Sequence, residues 1–182
     1  MSVAPERRDL WISWDEYHHA IEALALLVHD SGWQFDQILC LARGGLRPGD
    51  VFSRIFNVPL AILSVSSYRE DAGTSQGELN IASHVTIAGG ASRESLSGNV
   101  LLIDDLVDSG VTLGRVQTHV AAQFPAVREV KSAVIWYKDC SVVRPDFYLQ
   151  HLPDNPWIHQ PFEVYDGLHA HQLAAWIKKN RP

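Results

Sequence analysis

Apolar positions along the chain follow two alternating patterns. From Trp14 onward, Tyr17, Ile21, Leu24 and Val28 fall on one face of a helix. Ser13 and Glu16 have capping-box spacing at its start, and Gly32 offers a stop. Residues 38–42 form a short apolar run, read as a buried strand that ends abruptly in Arg43-Gly44-Gly45. Pro48 can open the next helix, with Val51, Phe52, Ile55 and Phe56 as its apolar face. Further strands are predicted over 60–65, 100–103, 132–137 and 147–149, with a helix over 112–123 ended by Pro125. Short apolar strands alternating with helices predict an α/β fold, a mostly parallel twisted sheet flanked by helices. Such sheets bind ligands beyond the carboxyl ends of their strands, and three of the polar stretches lie there.

Two segments interrupt this alternation. Residues 65–98 are rich in Ser and Gly and poor in large apolar side chains. A hairpin is expected around 81–87, and the remainder reads as a loop long enough to be functional. Residues 151–166 are rich in Pro and aromatics and read as an irregular cap. A terminal helix is expected over 167–179, with Lys178 and Lys179 suiting its C-terminal dipole. No repeat or linker divides the chain, so one domain over 1–182 is expected.

Composition excludes several classes. The chain has 182 residues, 46% apolar and 20% charged, which is ordinary globular composition. Its net charge of −6 makes it a poor non-specific ligand for nucleic acid or an anionic membrane. The longest apolar run, residues 23–28, is far short of the roughly 20 that span a bilayer. Residues 1–10 carry no signal-peptide core. Cys40 and Cys140 form no CxxC pair, and both are expected to be buried free thiols in a reducing cytoplasm. The nine histidines give no metal site, since neither His18-His19 nor His169 and His171 share a helical face.

The chemistry concentrates in Val100-Leu-Leu-Ile-Asp104-Asp105-Leu106-Val107-Asp108-Ser109-Gly110-Val111-Thr112. A buried strand delivers two adjacent carboxylates to the sheet edge, where they could bind a cation or accept from a pair of vicinal hydroxyls. The turn from Asp108 to Thr112 leads into a helix, and its backbone N–H groups and hydroxyls would cradle a phosphate. Together these sites suit a phosphorylated sugar. The plain alternative is a strand ending in solvated aspartates before a capped helix. A Walker B strand would need a GxxxxGK[ST] loop, and neither that loop nor a GxGxxG fingerprint is present. After the earlier strand, Gly44 would let the backbone approach an anion and Arg43 would fork onto phosphate oxygens. That turn alone reads equally well as a glycine-rich connection with a solvated arginine.

The thirteen-residue stretch resembles the phosphoribosyl-diphosphate (PRPP) motif of the type I phosphoribosyltransferases. Three further blocks resemble the same family in the same order: the pyrophosphate loop at 39–49, the start of the flexible catalytic loop at Ser66-Ser67-Tyr68, and the base-binding hood at Trp157-Ile158-His159-Gln160-Pro161-Phe162. The likeness is to the bacterial xanthine–guanine branch and covers residues 14–166. It implies the type I fold with a small C-terminal hood over the base site. Asp104 and Asp105 would hold the ribose hydroxyls and Mg²⁺-bound PRPP, with Asp105 toward the metal. Asp108 would lie near purine N7 and serve as general base or proton relay. Asp108, Ser109, Gly110, Val111 and Thr112 would take the 5′-phosphate end, and Arg43, Gly44 and Ser67 the pyrophosphate. Lys138 would donate to a 6-oxo group, and Trp157 would stack on the base. The Ile158 carbonyl would accept from a 2-amino group, and Tyr68 would close over the reacting centre.

Val111 stands where the family commonly has glycine, so an ordinary backbone conformation is expected there. His159 and Phe162 differ from the acidic residue and tryptophan of the related hood. The resemblance implies a Mg²⁺-dependent purine-salvage enzyme of the cytoplasm, a homodimer or homotetramer, acting on PRPP and a purine base and not on nucleic acid. Two alternatives share the fold: a PRPP- or nucleotide-sensing regulator, and a phosphoribosyltransferase for another base.

Overall fold

A computed structural model describes residues 9–67, 79–88 and 95–180. The chain forms two compact units, one from residues 20–155 and one from residues 1–19 and 156–182.

The larger unit is built on a sheet. Its strands are β2 (Gln37–Ala42), β3 (Leu60–Ser67), β4 (Leu79–Ile81), β5 (Thr86–Ala88), β6 (Gly98–Val107), β7 (Val127–Lys138) and β8 (Phe147–Leu152); β1 (Leu10–Trp11) belongs to the smaller unit. The order is β4-β3-β2-β6-β7-β8, with β5 also on β3. The five long strands are parallel, and β4 and β5 are antiparallel to β3. The short strands do not form the expected hairpin: β4 pairs with Val65–Ser67 and β5 with Leu60–Ile62, each on its own part of β3.

Alternation along the strands sends side chains to both faces. Leu39, Leu41, Leu63, Val100, Leu102 and Val134 meet Leu113, Val116 and Val120 of α3 (Val111–Gln123) in one apolar cluster. Cys40 faces the other way, where α2 (Leu46–Phe56) packs with Gly49 against it. A methyl at Gly49 would stand 2.8 Å from the Cys40 Cβ. Only part of the predicted α2 face is covered: Phe52 is buried, whereas Ile55 is exposed. The first helix, α1 (Trp14–Asp30), buries the expected stripe, with Tyr17, Ile21, Leu24 and Val28 each at most 1% exposed. Its capping box is complete, Glu16 N donating to Ser13 Oγ and Ser13 N to the Glu16 carboxylate.

One strand outruns its apolar core. β6 continues through Asp104 and Asp105 to Val107, because β7 keeps pairing with it as far as Tyr137. The acid pair therefore lies within the strand and not beyond its end. The chain leaves β2 toward β3 on one side and β6 toward β7 on the other. The gap between the carboxyl ends of β2 and β6 is thus the topological switch point, the place where doubly wound sheets bind ligands.

In the smaller unit, β1 pairs in parallel with β9 (Ile158–His159). Residues 151–166 are more regular than expected. β8 runs on to Leu152, β9 follows, and a 3-10 turn covers Glu163–Tyr165. The terminal helix α4 begins at Leu173, after a 3-10 turn over Ala170–Gln172, and not at 167. No helix among the described residues is long and apolar enough to cross a membrane.

Candidate active site

The turn after β2 and the acid pair of β6 meet at the switch point. A side chain at Gly44 would place its Cβ 2.5 Å from Asp105 Oδ1 and 2.7 Å from Asp104 Oδ1. A side chain here would displace both carboxylates from their present positions, so glycine lets the backbone pass close to them. Arg43 is exposed beside this turn, and the Ala42–Arg43 peptide is cis. Asp105 N donates to Asp104 Oδ1 at 3.0 Å. Burial first, and the charge of Asp105 second, push the Asp104 carboxyl well above the usual carboxylate range; hydrogen bonds from the Asp105 and Gly45 backbones act in the opposite sense. Asp105 is buried, at 9% exposed, and Asp104 is half-buried. Two carboxylates held this close favour a cation or hydroxyl donors that share their charge.

Beyond them the chain turns at Asp108-Ser109-Gly110 into α3. Gly110 precedes the helix with φ +78°, while Val111 is helical with no positive φ, the ordinary conformation expected for a β-branched residue. The N-cap residue Gly110 has no side chain to cap α3, and Val111 N donates to Ser109 Oγ at 3.4 Å; a pocket of about 130 Å³ adjoins this helix start. Asp104, Asp108, Ser109, Gly110 and Thr112 line it. An anion at a helix N-terminus is favoured both by the free N–H groups and by the dipole.

Lys138, the last residue of β7, is 5% exposed, and its Nζ lies 3.3 Å from Asp108 Oδ1. The structure therefore brings Asp104, Asp105, Asp108, Gly44, Lys138 and the Ser109–Thr112 turn to one end of one sheet. Cys140 was missed as a member of this group. It is exposed, not buried as expected, because it sits past the end of β7 in the turn at 139–141; Cys40 is buried in β2, and both thiols are free. A weak signal was available in its place two residues after Lys138.

Trp157 and Ile158 belong to the smaller unit. Trp157 is 54% exposed and Ile158 is buried. Leu10 N of β1 donates to the Trp157 carbonyl at 2.8 Å, and Ile12 N, just past β1, to the His159 carbonyl at 3.0 Å. Strand alternation turns the intervening Ile158 carbonyl away from β1. His159 stacks on Trp11 at 3.7 Å, and its Nε2 lies 3.0 Å from Asp9. Ser67 ends β3, where its backbone pairs with Leu79. Tyr68 lies outside the described residues.

A carboxylate pair at a switch point, followed by a glycine turn into a helix, is an arrangement suited to a phosphorylated sugar on a doubly wound sheet. Residues 13–166 match the phosphoribosyl transferase domain family, and the chain belongs to it. It is 28% identical over 159 residues to the xanthine-guanine phosphoribosyltransferase of Idiomarina loihiensis, across 87% of this chain and 89% of that one. Among solved structures, the purine phosphoribosyltransferase of Pyrococcus horikoshii matches with TM-score 0.68 and 27% identity, covering 85% of this chain and 93% of that one. The xanthine-guanine-hypoxanthine phosphoribosyltransferase of Helicobacter pylori shares the fold at TM-score 0.69 and 21% identity, over 92% of this chain and 99% of that one.

Proposed function

We propose that this phosphoribosyltransferase moves the phosphoribosyl group of PRPP onto a 6-oxopurine (guanine, xanthine or hypoxanthine), giving the nucleoside 5′-monophosphate and pyrophosphate. The observation that carries this reading is the grouping of Asp104, Asp105, Asp108, Lys138 and the α3 N-terminus at the switch point. The purine names of the two relatives above 25% identity support the base class.

In the proposed mechanism, the Ser109–Thr112 turn anchors the 5′-phosphate, and Asp104 and Asp105 accept from the ribose hydroxyls. The C1–O bond to pyrophosphate breaks as a purine nitrogen bonds to C1. The transition state resembles an oxocarbenium ion, so carboxylates beside the ribose stabilise developing positive charge. Asp108 takes the proton that the purine releases. Lys138 donates to the 6-oxo oxygen, which adenine lacks. Arg43 and the Gly44 and Ser67 backbones are assigned to pyrophosphate. By the resemblance alone, Trp157 stacks on the base, the Ile158 carbonyl accepts from a 2-amino group, and Tyr68 closes the centre against water.

The donor set fits Mg²⁺: two adjacent carboxylates on one strand, of which Asp105 would hold the ion. When bound, Mg²⁺ offsets charge on the departing pyrophosphate. Two unpaired thiols support a reducing cytoplasm. A homodimer or homotetramer remains part of the proposal.

The test is a PRPP-dependent assay, with and without Mg²⁺, on guanine, xanthine, hypoxanthine and adenine in parallel, following nucleotide and pyrophosphate. Turnover of 6-oxopurines but not adenine is expected. PRPP binding without turnover of any base would favour the regulatory alternative.

A further inference from the structure

The turn that follows β7 grips the phosphate loop at three successive residues. Val142 N donates to Ser109 O at 2.9 Å. Ser141 Oγ fills the space where a side chain on Gly110 would point. Cys140 Sγ lies 3.6 Å from both the backbone oxygen and Oδ1 of Asp108. The turn is itself anchored: Asp139 N donates to Leu152 O at 3.1 Å, Ser141 N to Lys138 O at 3.1 Å, and Cys140 N to Asn155 Oδ1 at 2.9 Å. The Cys140 side chain is thus placed by backbone contacts on either side of it.

Asp108 needs such placement. Its side chain is 57% exposed, and an exposed aspartate samples several rotamers. Among the described residues, two side chains hold it, Lys138 and Cys140. We propose that Cys140 is a positioning residue for Asp108, its thiol donating to that residue so that the carboxylate is aimed before the purine arrives. The inference rests on the reading of Asp108 as the proton acceptor. Burial and the neighbouring Asp108 carboxylate both push the Cys140 thiol up, which keeps it a neutral donor. Lys138 and Cys140 then approach the same carboxylate from one strand end, and the geometry is set by β7 rather than by the substrate. Prior orientation of a reacting group lowers the entropy lost at the chemical step.

Two measurements test this. In the first, Cys140→Ala and Cys140→Ser are compared with wild type for kcat and for the KM of PRPP and purine, alongside Tm. The alanine variant is expected to lose about three- to tenfold in kcat, with the KM for PRPP and the Tm unchanged; serine, which restores a donor, is expected to recover most of the loss. A wild-type kcat for alanine, or equal losses for alanine and serine, would overturn the proposal. In the second, iodoacetamide labelling of Cys140 at fixed pH is timed in wild type and in Asp108→Asn. Loss of the adjacent negative charge is expected to speed labelling several-fold, and an unchanged rate would also overturn the proposal. If labelling responds but wild type turns over no purine, the functional reading fails and the positioning role falls with it. If wild type turns over and alanine matches it, this inference alone fails.

Discussion

At the scale of single residues, the site is organised around carboxylates that the fold does not accommodate cheaply. Asp104 has its pKa raised by burial and by Asp105, so its ionised form opposes folding at neutral pH. The sign follows from the direction of the shift. The native state binds the proton more tightly than the unfolded chain, so stability falls as pH rises from the ordinary carboxylate range toward the raised value. Asp104→Asn removes that charge while keeping an acceptor for Asp105 N. Its Tm is expected to rise by about 2–4 °C at pH 7, the shift that 1 kcal/mol brings at this size, and the advantage is expected to shrink in acid. PRPP affinity is expected to fall in the same variant. Calorimetry and PRPP titration check both halves, and a lower Tm at pH 7 would show that the buried charge is compensated. Lys138 makes the complementary case. Lys138→Ala is expected to lose 6-oxopurine transfer by a factor of 10² or more while PRPP still binds, measured by base turnover beside PRPP titration. Guanine turnover at the wild-type rate would remove it from the base site. Asp104 and Asp105 were legible in the sequence only as part of the whole stretch from Val100 to Thr112, because two acids after an apolar run read by themselves as a solvated strand end. Cys140 was not, because an isolated cysteine beside apolar residues reads as core; only the turn geometry exposes it.

At the scale of elements, the predicted strands and helices were legible where one face is buried and blurred where pairing extends past the core. The apolar run at 100–103 marks the buried centre of β6, but backbone pairing with β7 carries the strand on to Val107. The hairpin expected near 81–87 failed for a related reason. Two three-residue strands are short enough to pair separately with β3, and periodicity in one strand does not say which neighbour it finds. Loops carry the sharpest demand on residue type. Gly110 has φ +78°, and the Ser141 hydroxyl occupies the space a side chain would need. Gly110→Ala therefore faces both backbone strain and a clash. A cost of about 1–3 kcal/mol in stability is expected, with at least a tenfold loss in PRPP affinity, from denaturant titration and PRPP binding. Wild-type affinity in that variant would mean that the phosphate loop tolerates rearrangement. The neighbouring Val111 is already non-glycine, and its helical conformation shows why: the positive φ belongs to the residue before it.

At the scale of the larger unit, strand order is what turns three separated segments, the Gly44 turn, residues 104–112 and Lys138, into one site. The sequence pattern predicted a parallel sheet, but it could not say that β2 and β6 are neighbours, because their contact closes a long loop. Once they are adjacent, Gly44 and Asp105 must meet, and the site is read from topology. This placement predicts how ligands act on global stability. A ligand that binds only the native state adds RT ln(1 + [L]/Kd), roughly 2.7 kcal/mol at a hundred times Kd. In a chain of this length that corresponds to a Tm increase of roughly 5–10 °C. PRPP with Mg²⁺ is expected to give a rise of this order, and PRPP with a chelator a smaller one, because the adjacent carboxylates then meet an anion without an intervening cation. Asp105→Asn is expected to abolish most of the difference between the two conditions while leaving the unliganded Tm close to wild type or above it. The comparison separates the metal from the phosphate loop. If Mg²⁺ adds nothing to the PRPP-induced rise in wild type, Asp105 is not its ligand. The acid pair would then serve the ribose hydroxyls alone.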